Sequence, residues 1–333
     1  MCPAHAAGFS VVTGAIDSGP GRDGIPKYNV VMQGGKHFVE VPEDGIKQKE
    51  TEPMTKRDPN DKRNFVIVGG GAAGLNCAET LRQSGYTGKI TLVCKEKTLP
   101  YDRTLLTKAL PVGDASKFAL RDEDFLKNYD IDFMKDSMYS IHADKKMITF
   151  ARGQPMAYDK LLLATGGQPR EAKWVKGIDG AKNVFFLRSA EDQTKIKEKA
   201  KGVKDGVAIL GSSFIGSEAA AALKMKYKDA FDVHMIGLEE YPVETVFGKQ
   251  IGKMMYDEHK KNGVTLHMQK DIKEIKCNAD GEIVSMLLND GSEHKVSMLI
   301  IGVGILPQTS YLQKNETGIK TDRQGAIVCD PFL

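Results

Sequence analysis

The chain has 333 residues, 27% of them charged and 41% hydrophobic, with 47 Lys and Arg against 44 Asp and Glu for a net charge of +3. Such a length supports about two domains and a sizeable core, while the near-balance of charge excludes a dominant basic field and makes nucleic acid a poor candidate partner. No apolar run approaches the ~18 residues of a membrane span, and five scattered cysteines offer neither a disulfide framework nor a C-x-x-C pair, which argues for a reducing compartment.

In chain order, the first 45 residues hold short apolar runs separated by turn clusters. Phe9–Val12, Tyr28–Met32 and His37–Val41 predict a small antiparallel β piece. Residues 46–63 are rich in Glu, Lys, Asp, Pro and Asn and cannot bury a core, so they predict a solvated linker. A βαβ pattern follows. Phe65–Val68 is a continuous apolar strand, a helix is expected over about 72–84, and Ile90–Val93 is the next strand. Continuous apolar strands suit a parallel sheet covered on both faces. The same unit recurs about 140 residues later: Val207–Leu210, a helix over about 214–225, and Val233–Ile236. Two copies of one unit predict two nucleotide-binding domains in series.

The first strand-to-helix turn reads Gly69-Gly70-Gly71-Ala72-Ala73-Gly74, a complete G-x-G-x-x-G. Gly69 permits the tight turn, Gly71 lets a pyrophosphate approach the backbone, and Gly74 lets helix and strand pack closely. The phosphate would sit on free N–H groups at the positive end of the helix. Glu96, 22 positions past Gly74, is the candidate ribose acid, although Cys94 and Lys95 occupy the strand end itself. The second turn is Gly211-Ser212-Ser213-Phe214-Ile215-Gly216, with Ser213 in place of the middle glycine. Its following strand ends in Leu238-Glu239-Glu240 with no Arg or Lys in the next several residues. Carboxylates there accept ribose hydroxyls and repel a 2′-phosphate, which favours NAD(H) over NADP(H). Two further glycine clusters, Ala164-Thr165-Gly166-Gly167 with Arg170, and Gly302-Val303-Gly304, lie just beyond apolar strands, where open α/β sheets bind ligands. The histidines at 37, 142, 234, 259, 267 and 294 show no metal-ligand spacing, and surface or core roles are expected of them.

The first turn, the run Leu99–Lys108 (LPYDRTLLTK), Ala164-Thr165-Gly166, Gly211…Gly216-Ser217-Glu218 and Gly302-x-Gly304-x-x-Pro307 occur in that order. Together they resemble the FAD-dependent pyridine-nucleotide oxidoreductases of the ferredoxin-reductase and apoptosis-inducing-factor branch, over about residues 63–333. The absent cysteine pair disfavours the disulfide-reductase branch. At the N-terminus, Cys2-Pro3-Ala4-His5 with Phe9, Thr13-Gly14 and Pro20-Gly21 is similar to the second ligand half of a Rieske [2Fe–2S] domain, as in the type-three, Rieske-containing apoptosis-inducing factor group. Ala6 stands where that group usually has glycine, and the first Cys-x-His pair, needed to complete two Cys and two His ligands, is not in the chain.

The resemblance implies an α/β fold of two Rossmann-like domains of the FAD/NAD(P)-binding type, preceded by a partial Rieske-like β segment. The expected division is a Rieske-like half over 1–45, a charged linker over 46–63, an FAD domain over 64–180, an NAD domain over 181–305 and the start of a return into the FAD domain over 306–333, with the chain cut at both ends. It implies that Lys108 lies beside the isoalloxazine and that Glu218, on the first turn of the second helix, holds it. Arg103 is implied as an FAD phosphate or adenine contact, and Cys2 and His5 as cluster ligands if the missing pair is supplied. The implied partners are NADH and a one-electron acceptor such as an iron–sulfur protein or a quinone, in the cytoplasm or mitochondrion. A redox-sensing NADH-binding flavoprotein and an inactive fragment without FAD are the other readings.

Overall fold

The computed structural model describes residues 1–3, 5–46, 49–110, 113–114 and 117–331. They fall into two compact units, Met1–Asp61 with Glu79–Gly88, and Lys62–Ala78 with Lys89–Leu333. The last two residues of the expected return segment, Phe332 and Leu333, and Ala4 of the Cys2–His5 run lie outside the described residues.

In the first unit, β1 (Gly8–Phe9) pairs antiparallel with β2 (Ile16–Ser18), and β3 (Val30–Gln33) with β4 (Lys36–Val39). Gly34 and Gly35 turn the second hairpin with φ of 57° and 76°, angles that side-chain-bearing residues rarely adopt. The strand expected over 9–12 stops at Phe9. The Ser10 hydroxyl accepts hydrogen bonds from the Val12 and Thr13 amides, so a local turn replaces the ladder and leaves Val11 97% exposed. Residues 51–63 form no helix or strand and are mostly exposed, but they are held: the Thr55 and Asp58 amides donate to the Arg82 and Thr87 carbonyls. Arg82 is fully buried, and its guanidinium donates to the carbonyls of Tyr86 and Gly88, which satisfies a charge that would otherwise be costly inside.

The second unit begins β5 (Asn64–Val68), glycine turn, the start of α1 (Ala72–Gln83, which from Glu79 onward belongs to the first unit) and β6 (Lys89–Cys94). There follow α2 (Leu105–Lys108), α3 (Glu123–Asn128) and β7 (Ile131–Lys135). Then come an antiparallel trio, β8 (Met138–His142), β9 (Met147–Phe150) and β10 (Met156–Ala157), and the closing strand β11 (Lys160–Leu163). After β12 (Gly167–Pro169), β13 (Val184–Phe186) and α4 (Ala190–Ala200), the plan repeats. It runs β14 (Gly206–Leu210), glycine turn, α5 (Phe214–Tyr227), β15 (Asp232–Gly237), α6 (Glu244–Lys261) and β16 (Val264–Met268). The second antiparallel trio is β17 (Ile272–Cys277), β18 (Ile283–Leu288) and β19 (Glu293–Lys295), closed by β20 (Met298–Ile301). β21 (Ile305–Pro307) and a 3₁₀ turn over Ser310–Gln313 come last.

The two parallel sheets have matching orders, β11-β5-β6-β7 and β20-β14-β15-β16, the second extended by β13 beyond β20. Both central strands are the apolar runs read from the sequence. Every residue of β14 is buried, because helices cover one face of its sheet and the antiparallel trio the other. β12 and β21 pair antiparallel, Gln168 opposite Leu306, and so tie the two halves of this unit. Beyond β21, Tyr311 buries its ring among Val66, Val68 and Ile141, so the chain after residue 307 packs on the first sheet. No helix of the described residues is long and apolar enough to cross a membrane.

Candidate functional site

The two glycine turns have the same construction. Gly69 and Gly211 adopt φ of 128° and 112°, and a Cβ on either would strike a backbone carbonyl of the neighbouring strand's exit, Ala164 and Gly302 respectively. Only glycine fits both demands. Gly74 and Gly216 are the close-packing positions: a Cβ there would strike the carbonyl of Gly69 or Gly211. Gly71 differs. A Cβ on it would meet nothing within 4 Å, because the residue faces open space. In the second turn Ser213 is the N-cap of α5, in extended conformation and making no side-chain cap, so the first amides of that helix point out of the turn without a side-chain partner from it.

The open space beside Gly71 is a cavity of about 950 Å³. Gly69–Gly71 form part of its wall, with Cys94–Thr98 from the end of β6, Ala164–Pro169 from the exit of β11, and Arg103, Arg188, Gln308 and Tyr311. Its volume is at the upper end of the usual range for small-molecule and cofactor sites. The wall carries two guanidinium groups. Arg103 pairs with Glu96 and donates to the Arg188 carbonyl at 2.8 Å, while Arg188 Nε donates to the Gly167 carbonyl at 2.9 Å. Burial opposes the charge on Arg103, but Glu96 beside it outweighs burial and holds its pKa up. Burial, then Arg103, pushes Arg188 down. Tyr101 closes the group: its hydroxyl donates to Glu96 at 2.8 Å and accepts from the Ala190 amide, and burial together with Glu96 keeps it protonated.

Glu96 is therefore engaged with Arg103 and Tyr101 while lining the cavity. Its place in the pocket was legible, but its guanidinium partner, seven residues on, was not. Arg188 was missed as well: it stands in no motif and reaches the wall from the turn between β13 and α4. Thr165 donates to the Gln308 carbonyl at 2.8 Å and lies 3.1 Å from the Tyr311 hydroxyl, which ties the Ala164–Gly166 exit to the returning chain. Arg170 is exposed, and its amide bonds to the Gly304 carbonyl, joining the two late glycine clusters.

Lys108 and Glu218 meet at 3.0 Å across the two halves of the second unit. The Asp102 carboxylate accepts from the Thr104 amide and hydroxyl at the start of the α2 segment. Leu106 and Leu110 bury the inner face of that segment, and Gln193 donates to the Leu105 and Leu106 carbonyls. Lys108 is thereby turned outward. Glu218 also accepts a short hydrogen bond from Thr107. Glu218 is the fifth residue of α5, one turn further in than expected; no acid occupies the first turn. Near the second glycine turn, Ser212 donates to Glu239 at 2.8 Å and fixes that carboxylate at the end of β15. Glu240 is paired with Lys249 at 2.6 Å, a cation that lies beyond the stretch inspected in the sequence and is close only in space.

One expectation, for the histidines, needs adjustment. Cys2 and His5 share a tight N-terminal turn closed by the Cys2 amide on Ala7 and the Ala6 amide on Cys2, and Ala6 takes φ 62°, which explains a preference for glycine there. Among the described residues the pair belongs to no group of three or more metal-ligating side chains. His234, His267 and His294, expected in separate roles, come together instead, with ligand atoms within 4.8 Å of one another. Sequence spacing could not show this, because the three lie on different strands.

Residues 63–333 match the model of the pyridine nucleotide-disulphide oxidoreductase family. The chain is 32% identical to human apoptosis-inducing factor 3, over all of this chain and 54% of that protein. It is 30% identical to a terpredoxin reductase from a Pseudomonas species, over 80% of this chain and 65% of that one. The structure of a ferredoxin reductase from Rhodopseudomonas palustris superposes with a TM-score of 0.73 at 28% identity, covering 78% of this chain and 63% of that one. The chain thus spans about half the length of the apoptosis-inducing factor it matches. The fold is the FAD/NAD(P)-binding α/β fold of these proteins.

Proposed function

Since the chain belongs to the pyridine nucleotide-disulphide oxidoreductase family, we propose that it is an FAD-dependent oxidoreductase that draws electrons from NADH and passes them to a one-electron acceptor, an iron–sulfur protein or a quinone. The observation that carries this reading is the doubling of one phosphate-accepting turn, each at the mouth of its own parallel sheet, with Lys108 and Glu218 joined between the two halves. The cavity beside Gly71 fits FAD: a Cβ at that glycine would intrude on the cavity, and the wall offers guanidinium groups to a pyrophosphate. FAD bound there supplies hydride acceptance from NADH and one-electron delivery to the acceptor.

The residues then have distinct tasks. Gly69, Gly71, Ala72, Ala73 and Gly74 present backbone amides at the positive end of α1, where a pyrophosphate is stabilised. Arg103 and Arg188 add charge to the same wall, with Glu96 setting the orientation of Arg103. Ala164, Thr165 and Gly166 shape the opposite edge, and Arg170 flanks it. Gly211, Ser213, Phe214, Ile215 and Gly216 present the α5 amides to NADH, with Gly302 and Gly304 behind them. Glu239 accepts the ribose hydroxyls and repels a 2′-phosphate. With FAD and NADH bound, Lys108 would offer an ammonium group to negative charge developing on the flavin, and Glu218 would hold the ammonium in position. Cys2 and His5 would supply two of four [2Fe–2S] ligands only alongside a second Cys–His pair; no step is assigned to them. The five cysteines are unpaired, which supports a reducing compartment, cytoplasm or mitochondrion.

Reconstitution tests the reading. The chain loaded with FAD should retain the flavin through gel filtration and reduce ferricyanide with NADH. Protein that emerges colourless, or a flavoprotein that turns over no NADH with ferricyanide, would refute it.

A further inference from the structure

His234, His267 and His294 are far apart in sequence and adjacent in space, and none of them belongs to the residues assigned above. β15 carries His234, β16 carries His267 and β19 carries His294. In the parallel ladder His234 pairs with Thr265, and Ile236 with His267. His267 is therefore two residues beyond the partner of His234, and the period of two in a strand sets both imidazoles on one face of the sheet. His294 comes from the antiparallel trio, where it pairs with Met286 of β18. The ring centroids stand 5.3, 5.3 and 4.5 Å apart.

The nitrogens are placed as ligands would be. His234 Nδ1 and His267 Nε2 are 3.0 Å apart, and one nitrogen from each ring lies within 4.8 Å of the others. Two imidazoles bound tetrahedrally at about 2.0–2.1 Å from a zinc ion hold their nitrogens about 3.3 Å apart. The first pair is already at that spacing, and the third ring has about 1.5 Å or less to close, which a side-chain adjustment supplies. Without an ion, His234 Nδ1 and His267 Nε2 share a hydrogen bond and His294 Nε2 lies 3.3 Å from the Ser292 hydroxyl; a bound ion would replace the first of these contacts with coordination. Val233, Met235 and Ile236 show that β15 fills its core with apolar side chains, whereas imidazole nitrogens brought inside need partners.

We propose that His234, His267 and His294 form a binding site for a divalent transition-metal ion of the zinc, nickel or copper class, with water completing its coordination. An unprotonated imidazole presents on one ring nitrogen the lone pair that such an ion needs. The charged neighbours are Asp232 beside His234, and Asp290 and Lys270 beside His267, the last two paired with each other at 3.0 Å. Because β19 belongs to the antiparallel trio and β15 and β16 to the parallel sheet, the ion clips one sheet to the other. An ion that binds the folded chain and not the unfolded one raises its melting temperature.

The test uses the full chain, purified without a histidine tag and stripped with a chelator, then titrated with Co²⁺ and Zn²⁺. The wild-type chain should bind Co²⁺ with the visible d–d absorption of a four- or five-coordinate imidazole site, and Zn²⁺ should displace it and raise the melting temperature. His294→Gln, on the half-buried outer ring, and His267→Gln should each lose one equivalent of bound metal, or bind it at least 10–100-fold more weakly, the loss already seen when only an outer-shell partner is removed. The Zn²⁺ shift in melting temperature should disappear in both. Absence of the d–d band in the wild-type chain, or unchanged stoichiometry and affinity in His294→Gln, would overturn the proposal. Neither readout depends on flavin or NADH, so the outcome is separate from that of the proposed activity.

Discussion

On the proposed reading Lys108 and Glu218 matter for chemistry while contributing little to stability. Their side chains are 54% and 38% exposed, and ion pairs in that setting are worth about 0–1 kcal/mol. Lys108→Met should therefore melt within a degree or two of the wild type and keep its FAD, while NADH-driven flavin reduction slows by about tenfold or more because charge developing in the transition state loses its counter-charge. Stopped-flow absorbance measures this directly, and an unchanged rate removes Lys108 from the mechanism. His267 makes a different residue-scale prediction. Burial first, then His234 and His294, pushes its pKa down to about 4. The unfolded chain takes up that proton near pH 6.5, so the associated stability is fully present above pH 6.5 and is lost as pH falls toward 4. Asp232, Asp290 and Lys270 are the other charged groups bearing on the cluster. Melting temperature in the absence of metal should fall over that window, and His267→Gln should make the fall shallower; an identical slope would contradict the assignment.

At the scale of single elements, the first glycine turn separates folding from binding. Gly74→Ala drives a methyl group into the Gly69 carbonyl, a backbone clash that flexible side chains cannot relieve. It should lower the melting temperature in the presence or absence of FAD, as expected for a loss of about 1–3 kcal/mol of stability from overpacking. Gly71→Ala adds a methyl group to open cavity space. It should leave the melting temperature of the flavin-free chain unchanged and weaken FAD retention. If both variants behave alike, the division of labour between these glycines is wrong. This turn was also the most legible part of the chain, because strand, glycine spacing and helix occur contiguously and each reports a local constraint. β14, α5 and β15 were legible for the same reason. Val11 and Val12 were misread as strand because the Ser10 hydroxyl captures the Val12 and Thr13 amides, and Glu218 was placed a turn too early, since it is the fifth residue counted from Phe214.

Across the whole second unit, one topology appears twice, with antiparallel trios inserted before β11 and β20. Duplicated sequence patterns announced this repetition, but tertiary contacts did not announce themselves. Arg188, Lys249 and the three-histidine cluster are assembled from positions that share no motif, so no spacing rule could have found them. On the proposed reading the second half takes NADH rather than NADPH, with the Glu239 carboxylate held by Ser212 at the end of β15. Glu239→Ala should narrow the preference for NADH in kcat/KM, chiefly by improving NADPH. Equal use of both nucleotides by the wild-type chain would contradict that assignment, and slow turnover with a persistent charge-transfer band would favour a redox-sensing role over rapid catalysis.

On the proposed function both dinucleotides bind this chain, FAD against the Gly69–Gly74 turn and NADH against the Gly211–Gly216 turn, close enough for hydride transfer. Anaerobic stopped-flow mixing of the FAD-loaded chain with NADH tests it most directly. The account predicts rapid bleaching of the flavin absorbance, saturable in NADH and slowed by Lys108→Met. A flavin that stays oxidised in saturating NADH, or a chain that retains no FAD to reduce, would contradict it.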